Sequence, residues 1–446
     1  MPVLARPYGF VLESRGTEAT CSRWCYAGIS PYMVLEGDVD TASVRRPGEQ
    51  EPFRKGPGIP CLQQLLNDLP AEEAGGPVPF DGGAVGFLGY GAGRAFEDLP
   101  EQALRDVRLP QVYWAFYEEV VAYDRREDQF WHVRCEVPEF VPDSGPSRSS
   151  VEELFDEASS VPSFDGHALQ VDGGPLEANT DQPAFESMVR EAKSYIRAGD
   201  IYQVNLSRRM SMDDVKNPGA VYLRLRETNP APYCGYIGNP EFAVLSSSPE
   251  LFLRRREQQI QTRPIKGTRS RSGDSGEDER QREDLLDSEK DLAELHMIVD
   301  LERNDLGRVC EYGSVRTDDL HTLESFANVH HLVGTVSGTL RPDVEVSDLL
   351  RATFPGGSIT GAPKIRAMEI IDELEPTQRQ VYTGSMGWIG HNGDLELNIC
   401  IRTLEWTEHT LYFQVGGGIV ADSVPEEEYR ETEDKAKGML DALGMM

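Results

Sequence analysis

Lys266, within residues 262–268 (TRPIKGT), is the side chain whose sequence context most favours reactivity. The segment follows an apolar, β-branched run and precedes a Ser/Gly/charged stretch at 269–280, which predicts a strand end followed by a loop. Gly267 permits close backbone approach, and Thr268 places a hydroxyl beside the amine. A partly desolvated lysine loses its proton readily and acts as a nucleophile or a base. The alternative is a solvated lysine that merely follows a strand.

Carboxylates at regular spacing supply a second kind of chemistry. Glu250 precedes Lys266 by sixteen residues, a separation that a β-hairpin closes. Asp291 and Glu294 lie three residues apart in the segment 285–301, whose apolar residues recur with a helical period. We therefore expect a helix that carries a pair of acidic side chains.

The last helix predicted from the sequence carries Glu428, Glu431 and Lys435 at positions i, i+3 and i+7, on one face. Two helices with paired carboxylates and no thiolate nearby allow a hard cation that prefers oxygen ligands, such as Mg²⁺. Surface helices with salt bridges have the same pattern, so two solvated acidic faces are the alternative interpretation.

Glycine-rich turns and strands must position these groups. Residues 354–363 (FPGGSITGAP) predict a turn entering a helix, with Pro363 at the first helical position. Such a helix start offers N–H groups to an anion, but the sequence lacks the features of a Walker loop. The segments 382–389 and 395–404 predict two paired strands around an Asn-Gly turn at 392–393.

The 446 residues, 39% of them hydrophobic, suffice for one large α/β domain or two. Residues 1–140 mix short strands and turns and form an N-terminal α/β region. Residues 141–183 are rich in Pro, Ser, Gly, Asp and Glu, which predicts a linker or surface excursion with a short helix at 151–158. Residues 184–446 hold all the candidate catalytic groups named above.

The chain is strongly acidic, with 76 acidic against 44 basic residues and a formal net charge of −32. Such a field repels nucleic acid and anionic membranes, so neither is expected as a partner. The seven cysteines are scattered and lack zinc-site spacing, which favours free thiols in a reducing compartment. With no apolar run of transmembrane length, we expect a cytoplasmic protein.

Nine sequence motifs follow one another within residues 185–440. They are GDIYQVNLS (199–207), SPELFL (248–253), RPIKGT (263–268), ELHMIVDLERNDLGRV (294–309), NVHHLVGTVSG (328–338), FPGGSITGAPKIRAMEII (354–371), YTGSMGWIG (382–390), LNICIRTL (397–404) and VGGGIVADSVPEEEYRETEDKAKGML (415–440). Together they resemble the chorismate-utilising enzymes, most closely the aminodeoxychorismate synthase branch. The resemblance implies an α/β (α+β) fold like that of component I of anthranilate synthase, with two large antiparallel β-sheets packed orthogonally and helices outside.

The resemblance also implies a magnesium cofactor and a set of substrate-binding residues. Glu294 and Glu431 would be the principal metal positions, with Asp291 and Glu428 in support through water. The cation would neutralise one carboxylate of chorismate inside an acidic protein. The groups implied for the rest of the substrate are Gln203, Thr268, His331, Ser358, Tyr382, Arg402, Gly416, Gly418 and Lys435. For His331, a role at the ring hydroxyl and simple core packing are equally open.

Two positions indicate the branch of the family. Isochorismate-type enzymes have a lysine base where this chain has Gln203, and a neutral amide cannot activate water. Anthranilate synthases have alanine where this chain has Lys266, and Asn205 also favours the aminodeoxychorismate branch. The mechanism implied has Glu250 protonating the departing 4-hydroxyl while Lys266 adds at C2, after which ammonia adds at C4. A purely electrostatic role for Lys266 is left open.

The resemblance implies two further partners. Ammonia would come from a glutamine amidotransferase subunit, because the chain has no nucleophile-elbow cysteine with a His/Glu pair. Ser14, Asn229, Pro230 and Tyr233 partly match a tryptophan-binding region of related chains. The alternatives to an aminodeoxychorismate synthase are component I of anthranilate synthase and a non-catalytic module that binds chorismate or tryptophan.

Overall fold

A computed structural model describes residues 1–15, 23–69, 76–135, 151, 153–154, 157, 169–326 and 329–445. Its α-helices are α1 (Gly58–Asp68), α2 (Gln182–Ala198), α3 (Pro218–Thr228), α4 (Ser275–Asp287), α5 (Glu289–Gly307), α6 (Val346–Thr353), α7 (Lys364–Leu374) and α8 (Pro425–Ala442). Short 3-10 helices span Pro2–Ala5, Tyr90–Ala95 and Gly357–Ile359.

The strands of the first half of the chain are β1 (Phe10–Glu13), β2 (Trp24–Gly28), β3 (Met33–Gly37), β4 (Ala42–Arg45), β5 (Arg54–Gly56), β6 (Gly83–Leu88), β7 (Val112–Tyr117), β8 (Glu119–Asp124), β9 (Gln129–Arg134), β10 (Leu176–Ala178) and β11 (Gln203–Met212). Those of the second half are β12 (Tyr233–Gly238), β13 (Phe242–Ser248), β14 (Leu251–Arg256), β15 (Gln259–Arg263), β16 (Ile265–Ser270), β17 (Arg316–Ser325), β18 (Val329–Thr339), β19 (Gly361–Ala362), β20 (Ser385–Gly390), β21 (Leu395–Ile399), β22 (Thr403–Thr407) and β23 (Thr410–Ile419).

These strands form two large antiparallel sheets with helices outside them, which confirms the predicted fold class. The first sheet has the order β10-β11-β23-β22-β13-β12-β1-β2-β8-β9, with β19 beside β11. The second has the order β16-β18-β15-β14-β21-β20-β6-β7-β3-β4-β5, with β17 beside β18. Each sheet contains strands from both parts of the chain. The N-terminal region contributes β1, β2, β8 and β9 to the first sheet and β3–β7 to the second. The orthogonal packing of the sheets stays a prediction.

The centre of the second sheet is covered on both faces. Every residue of β6 and β7 is buried, so the alternation of a half-exposed strand is absent. Trp114 and Phe116 point from β7 into one apolar cluster, and Tyr113 and Ala115 point into another. The sheet therefore supports a rigid core on each side, and the candidate catalytic residues lie toward its β16 end.

Several predicted boundaries were wrong for identifiable reasons. The helix expected over 285–301 is two helices, because Ser288 has an extended backbone and its Oγ accepts the Asp291 N–H at 3.3 Å as the N-cap of α5. The loop expected at 269–280 contains the start of α4, where Asp274 caps the first turn. Pro363 is the N-cap residue of α7 and not its first helical residue.

The strand expected over 395–404 is interrupted. Strand β21 ends at Ile399 and β22 begins at Thr403, and Arg402 between them has a φ of +50°, in the left-handed region. The two parts pair in different sheets, β21 with β20 and β22 with β13. The chain therefore crosses from one sheet to the other at this point.

The predicted excursion at 141–183 and its helix at 151–158 lie largely outside the described residues. Of the residues described there, Val151 and Leu154 are buried, and β10 pairs with β11 at the end of the first sheet. Among the helices of the described residues, none has the length and apolar character needed to cross a membrane.

Candidate active site

A β-hairpin brings Glu250 and Lys266 together. Glu250 directly precedes β14, which pairs with β15 in antiparallel register, and Lys266 follows on β16. The pairing of β16 with β18 shifts between Lys266 and Thr268, where Gly267 has a φ of +73°. Only glycine adopts this backbone without strain, and an added Cβ would approach Leu285 Cδ1 to 2.7 Å.

The 3-10 turn Gly357–Ile359 joins these two side chains. Ser358 Oγ donates a hydrogen bond of 2.5 Å to Glu250 Oε1. Lys266 Nζ donates to the carbonyl oxygen of Ser358 at 3.1 Å. Both catalytic candidates are therefore held by Ser358. Its side-chain hydroxyl bonds Glu250, and its backbone carbonyl oxygen bonds Lys266.

Burial moves both groups toward their neutral forms. Desolvation raises the pKa of Glu250 to about 7, although the Ser358 hydrogen bond and Lys266 oppose the shift. Desolvation also lowers the pKa of Lys266, while Glu294 and Glu250 oppose this change. A carboxyl that retains its proton near neutral pH is a general acid, and an amine that sheds its proton is a nucleophile.

His331 lies beside this pair on β18. Its Nδ1 is 2.9 Å from Thr268 Oγ1, and its buried Nε2 has no hydrogen-bond partner. Burial and then the Arg402 guanidinium lower the pKa of His331 to about 3, so the ring is neutral at physiological pH. A neutral imidazole with a free, buried nitrogen is suited to contact a hydroxyl of a bound molecule.

Arg402 and Tyr382, two candidate substrate-binding residues, have different neighbours. Desolvation lowers the pKa of Arg402 to about 10, and its Nη1 donates one long hydrogen bond, 3.4 Å, to Asn229 Oδ1. A guanidinium that has lost water without gaining an ion partner is prepared to bind an anion. The Tyr382 ring lies 5.8 Å from the guanidinium carbon of Arg379 and is itself buried.

Strands β11 and β23 lie side by side and carry three more of the candidate substrate-binding residues, Gln203, Gly416 and Gly418. Asn205 pairs with Gly418 in the antiparallel register, and Ser207 pairs with Gly416. An added Cβ at Gly418 would lie 2.2 Å from Gln203 Nε2, so the amide of Gln203 requires glycine there. Gln203 is 1% exposed and its Oε1 has no partner, which leaves a buried acceptor for a ligand.

Two carboxylates from α8 meet at Gly417 of β23. An ideal Cβ on Gly417 would lie 3.2 Å from Glu431 Oε1 and 3.3 Å from Glu428 Oε2. Glu428 Oε2 is buried without a hydrogen-bond partner, and burial raises the pKa of this side chain. Lys435 Nζ contacts Glu431 Oε1 at 2.6 Å and lowers the pKa of Glu431.

Of the two acidic residues of α5, Glu294 interacts with the charges of Lys266 and Glu431, whereas Asp291 pairs with Arg269. Burial raises the pKa of Glu294, which also senses the charges of Lys266 and Glu431. Its carboxylate lies 4.0 Å from Lys290 Nζ. Asp291 instead forms an ion pair with Arg269 at 3.1 Å.

The donor set of this acidic region fits a hard divalent cation. Among the residues described, no three acidic, His or Cys side chains converge closely enough to enclose a metal by themselves. Mg²⁺ does not require such a cage, because it is commonly held by one or two carboxylates together with water and substrate oxygens. The unpartnered Glu428 oxygen beside Glu431 is the feature of this site that a cation would satisfy.

The residues predicted to bind tryptophan are divided between two places. Ser14 and Tyr233 line a pocket with an empty volume of about 420 Å³, which opens to solvent and is also bordered by Trp24, Pro232 and Trp388. The Oγ of Ser14 is buried there, and no residue that the structure describes forms a hydrogen bond with it. Asn229 and Pro230 are not among the residues that line it, and Asn229 contacts Arg402 instead.

Sequence reasoning missed three groups near the site. Lys290 precedes Glu294 by four residues, and this helical spacing was available as a signal. Arg379 and Glu375 form a fully buried ion pair, but an i,i+4 pair of opposite charges normally indicates an exposed helix surface. Glu302 is buried against the turn at Gly357, and its position in a charged segment gave no signal of burial.

The site combines three kinds of group: a buried carboxyl, an amine and a desolvated guanidinium. Desolvation raises the pKa of Glu250 to about 7 and lowers the pKa values of Lys266 and Arg402, and Arg402 makes one long hydrogen bond to Asn229. Such a set is suited to a polyanionic substrate with a leaving hydroxyl.

Comparisons with known proteins agree with this chemistry. The chorismate binding enzyme family matches residues 17–441. The chain is 37% identical to aminodeoxychorismate synthase component 1 of Bacillus subtilis, over 98% of this chain and 92% of that protein. It is 38% identical to an anthranilate synthase component 1 of Haloarcula marismortui, over 98% and 86%. The crystal structure of anthranilate synthase component I from Streptococcus pneumoniae superposes with a TM-score of 0.80 at 31% identity, covering 95% of this chain and 93% of that one. The chain therefore belongs to the family of chorismate-binding enzymes.

Proposed function

We propose that this chain is an aminodeoxychorismate synthase component that converts chorismate and ammonia to 4-amino-4-deoxychorismate, a precursor for folate synthesis. The observation that carries the proposal is the Lys266 amine, which lies 3.1 Å from the carbonyl oxygen of Ser358, the residue whose hydroxyl bonds Glu250; burial raises the pKa of Glu250 to about 7. Relatives named for the aminodeoxychorismate and anthranilate reactions have similar identity to this chain, so particular side chains must indicate the reaction.

In the proposed mechanism Lys266 Nζ forms a bond to C2 of chorismate and the ring double bonds shift. The bond between C4 and its hydroxyl breaks, and Glu250 supplies the proton with which that hydroxyl leaves as water. Ammonia then bonds to C4, the bond between C2 and Lys266 breaks, and the lysine returns as a neutral amine. Glu250, now a carboxylate, takes a proton from the new ammonium group and is restored. The raised pKa of Glu250 and the lowered pKa of Lys266 support these roles.

Gln203 supports amination over hydration. An isochorismate-type reaction needs a base that activates water at C2, and a neutral amide has no such capacity. Gln203 is buried beside Gly418, and neither of these two residues has a titratable side chain that could act as the base. The ring carboxylate and the enolpyruvyl carboxylate would be held by Arg402, Tyr382 and the backbone of Gly416 and Gly418 on one side and by the acidic region on the other.

We also propose that the acidic region binds Mg²⁺ through Glu294 and Glu431, with Glu428 assisting through water. When bound, the cation supplies positive charge that neutralises a substrate carboxylate. Support comes from the convergence of Glu428 and Glu431 at Gly417 and from the unpartnered Glu428 oxygen. The ion pair of Asp291 with Arg269 gives Asp291 a weaker claim to a metal role.

Two partners belong to the proposal. The ammonia would be supplied by a glutamine amidotransferase subunit, in keeping with relatives whose names describe them as component 1 of a synthase. The pocket at Ser14 and Tyr233 would hold an amino acid such as tryptophan, and its support is the buried, unpartnered Ser14 hydroxyl next to an aromatic lining.

Product identification tests the proposed function. The purified chain is incubated with chorismate, Mg²⁺ and ammonium salt, and the product is identified by mass and fluorescence. We expect 4-amino-4-deoxychorismate, and anthranilate would overturn the proposal in favour of the anthranilate synthase reaction. Intact-protein mass after rapid quenching, with Lys266→Ala as the control, reports the covalent step. Turnover without an adduct would leave Lys266 with only an electrostatic role.

A further inference from the structure

A buried carboxyl outside the catalytic set contacts the turn that holds the catalytic acid. Glu302 lies on α5 and is 2% exposed. Its Oε1 accepts the backbone N–H of Gly357 at 3.1 Å. A Cβ on Gly357 would approach Leu301 Cδ2 to 2.5 Å and Glu302 Oε1 to 3.3 Å, so α5 lies close to the turn here.

The contacted turn is the one that fixes both reactive groups. Ser358, the next residue after Gly357, donates to Glu250 Oε1 at 2.5 Å and accepts from Lys266 Nζ at 3.1 Å. A displacement of the Gly357 amide would therefore move the donor to the acid and the acceptor for the amine together. No other side-chain hydrogen bond to the Gly357 N–H is seen within the described part of the chain.

The surroundings of Glu302 favour its neutral form. Its neighbour Asp305 is matched by Lys364, whose Nζ lies 2.5 Å from Asp305 Oδ2 and also donates to Thr353 O at 2.8 Å. Glu302 Oε2, in contrast, is buried with no hydrogen-bond partner. Burial, followed by the charge of Asp305, raises the pKa of Glu302 to about 8. A neutral carboxyl is compatible with the nearby Glu250, whose charge it senses.

We propose that Glu302 is a positioning residue which, in its protonated form, holds the Gly357–Ile359 turn so that Ser358 stays bonded to Glu250. The proposal rests on the proposed role of Glu250 as the acid. When Glu250 gives up its proton, a negative charge appears on that side of the turn. A neutral Glu302 does not oppose this charge, whereas an ionised Glu302 raises its energy.

Two substitutions separate the hydrogen bond from the charge. Glu302→Gln keeps an oxygen that accepts the Gly357 N–H and is neutral at every pH, whereas Glu302→Leu removes the acceptor. With chorismate, Mg²⁺ and ammonium salt, we expect Glu302→Leu to lower kcat on the order of tenfold to a hundredfold with little change in KM. Glu302→Gln should keep kcat within about twofold at pH 7, because a neutral acceptor replaces a neutral acceptor.

The pH profile provides the readout that a merely structural role would not move. Above pH 8 the ionised Glu302 of the wild type should depress kcat, and Glu302→Gln should lack this part of the decline. The charged groups that face Glu302 are Asp305, Lys364 and Glu250, and all three are unchanged in both proteins. Asp300→Asn, at an exposed position of α5, is the matched control and should follow the wild-type profile.

The proposal is overturned if Glu302→Leu retains full kcat, or if Glu302→Gln loses as much activity as Glu302→Leu. Should Glu302→Leu fail to fold, the comparison of Glu302→Gln with wild type above pH 8 still decides, and coincident profiles would refute the role of the charge. The assay follows chorismate loss, so it works whichever product forms. An anthranilate product with the expected Glu302 effects would reject only the proposed reaction.

Discussion

Two cations donate to neighbouring carbonyls of the turn Gly357–Ile359, and their surroundings are opposite in character. Lys266 Nζ donates to Ser358 O at 3.1 Å, and Arg379 Nη1 donates to Ile359 O at 3.1 Å. Each cation has a carboxyl nearby, Glu250 for the lysine and Glu375 for the arginine. The two contacts are therefore close in space and similar in composition.

Arg379 and Glu375 form an ion pair in which both carboxylate oxygens are hydrogen-bonded. Arg379 bonds both Glu375 oxygens, at 2.9 and 2.6 Å, and donates further to Asn205 O at 2.6 Å. Glu375 Oε1 also accepts from the N–H and the hydroxyl of Ser207. Although burial opposes the charge, the interactions with Glu375 outweigh it and raise the pKa of Arg379.

Lys266 and Glu250, in contrast, form no direct ion pair among the described residues, and each is hydrogen-bonded to Ser358 instead. Burial lowers the pKa of Lys266 and raises that of Glu250 to about 7, so burial favours the neutral form of each group. A buried pair with all its hydrogen bonds made stabilises charge and supports the fold, whereas one with too few prepares its members for chemistry.

The largest expected effect is on the rate. Glu250→Gln removes the transferable proton but keeps an acceptor for Ser358, so we expect kcat to fall by about 10²- to 10⁴-fold. Steady-state assays with chorismate, Mg²⁺ and ammonium salt measure it. Glu369→Gln, on an accessible face of α7, is the control and should retain full activity. A Glu250→Gln protein with wild-type kcat would remove the basis of the comparison.

The Arg379–Glu375 ion pair should contribute more to the free energy of unfolding than Lys266 does. Arg379→Met leaves Glu375 buried without its cation, and we expect the free energy of unfolding to fall by about 3–5 kcal/mol in urea titrations. Lys266→Met should cause no such loss, because it removes a cation that burial already destabilises. Equal destabilisation by the two substitutions would show that the two contacts do not differ in kind.

The pH dependence of stability sharpens the contrast further. A carboxyl whose pKa rises from 4.5 in the unfolded chain to about 7 in the folded protein favours folding in acid and loses that contribution as pH rises. Relative to Glu250→Gln, the wild type should therefore lose about 3 kcal/mol of unfolding free energy between about pH 4.5 and 7, and little more above it. Glu405, whose pKa is also raised, is common to both proteins and its contribution cancels. A pH-independent difference would contradict the assignment.

The smallest expected effect concerns the acidic region. Glu428→Gln removes the charge of the carboxylate whose Oε2 atom has no hydrogen-bond partner among the described residues, and we expect the Mg²⁺ concentration for half-maximal activity to rise about 10- to 100-fold. Calorimetric titration with Mg²⁺ checks the same shift without substrate. Glu427→Gln, exposed on the preceding position of α8, should leave both values unchanged. Equal behaviour of the two variants would place the cation elsewhere.

Local sequence signals were reliable for short-range structure and for the reactive hairpin. The pairing of β14 with β15 brings Glu250 toward Lys266, as the sixteen-residue separation predicts. Gly199, with a φ of +84°, ends α2 in the left-handed conformation that glycine favours at a helix C-terminus. The paired strands around residues 392–393 also form, as β20 and β21. These features depend on turn chemistry and residue period, which a sequence displays directly.

Other features depended on the tertiary structure. The break at Arg402 arises because the chain passes between two sheets, and nothing in the residues 395–404 marks that crossing. The same period that predicted one helix over 285–301 continues through Ser288, whose side chain ends one helix and begins the next. At Arg402 the pairing with two sheets overrides the local pattern, whereas at Ser288 a local cap interrupts it.

By itself, the sequence determined the types of reactive group and the hairpin that joins the lysine to its acid, because both follow from local order along the chain. Only the tertiary structure decided which charges are satisfied. Glu302, Glu375 and Arg379 look like surface residues in the sequence, and their roles depend on burial against segments more than fifty residues away or on bonds to them. The pKa of a group is set by the water it loses and the partners it gains, and neither quantity exists until the distant segments pack together.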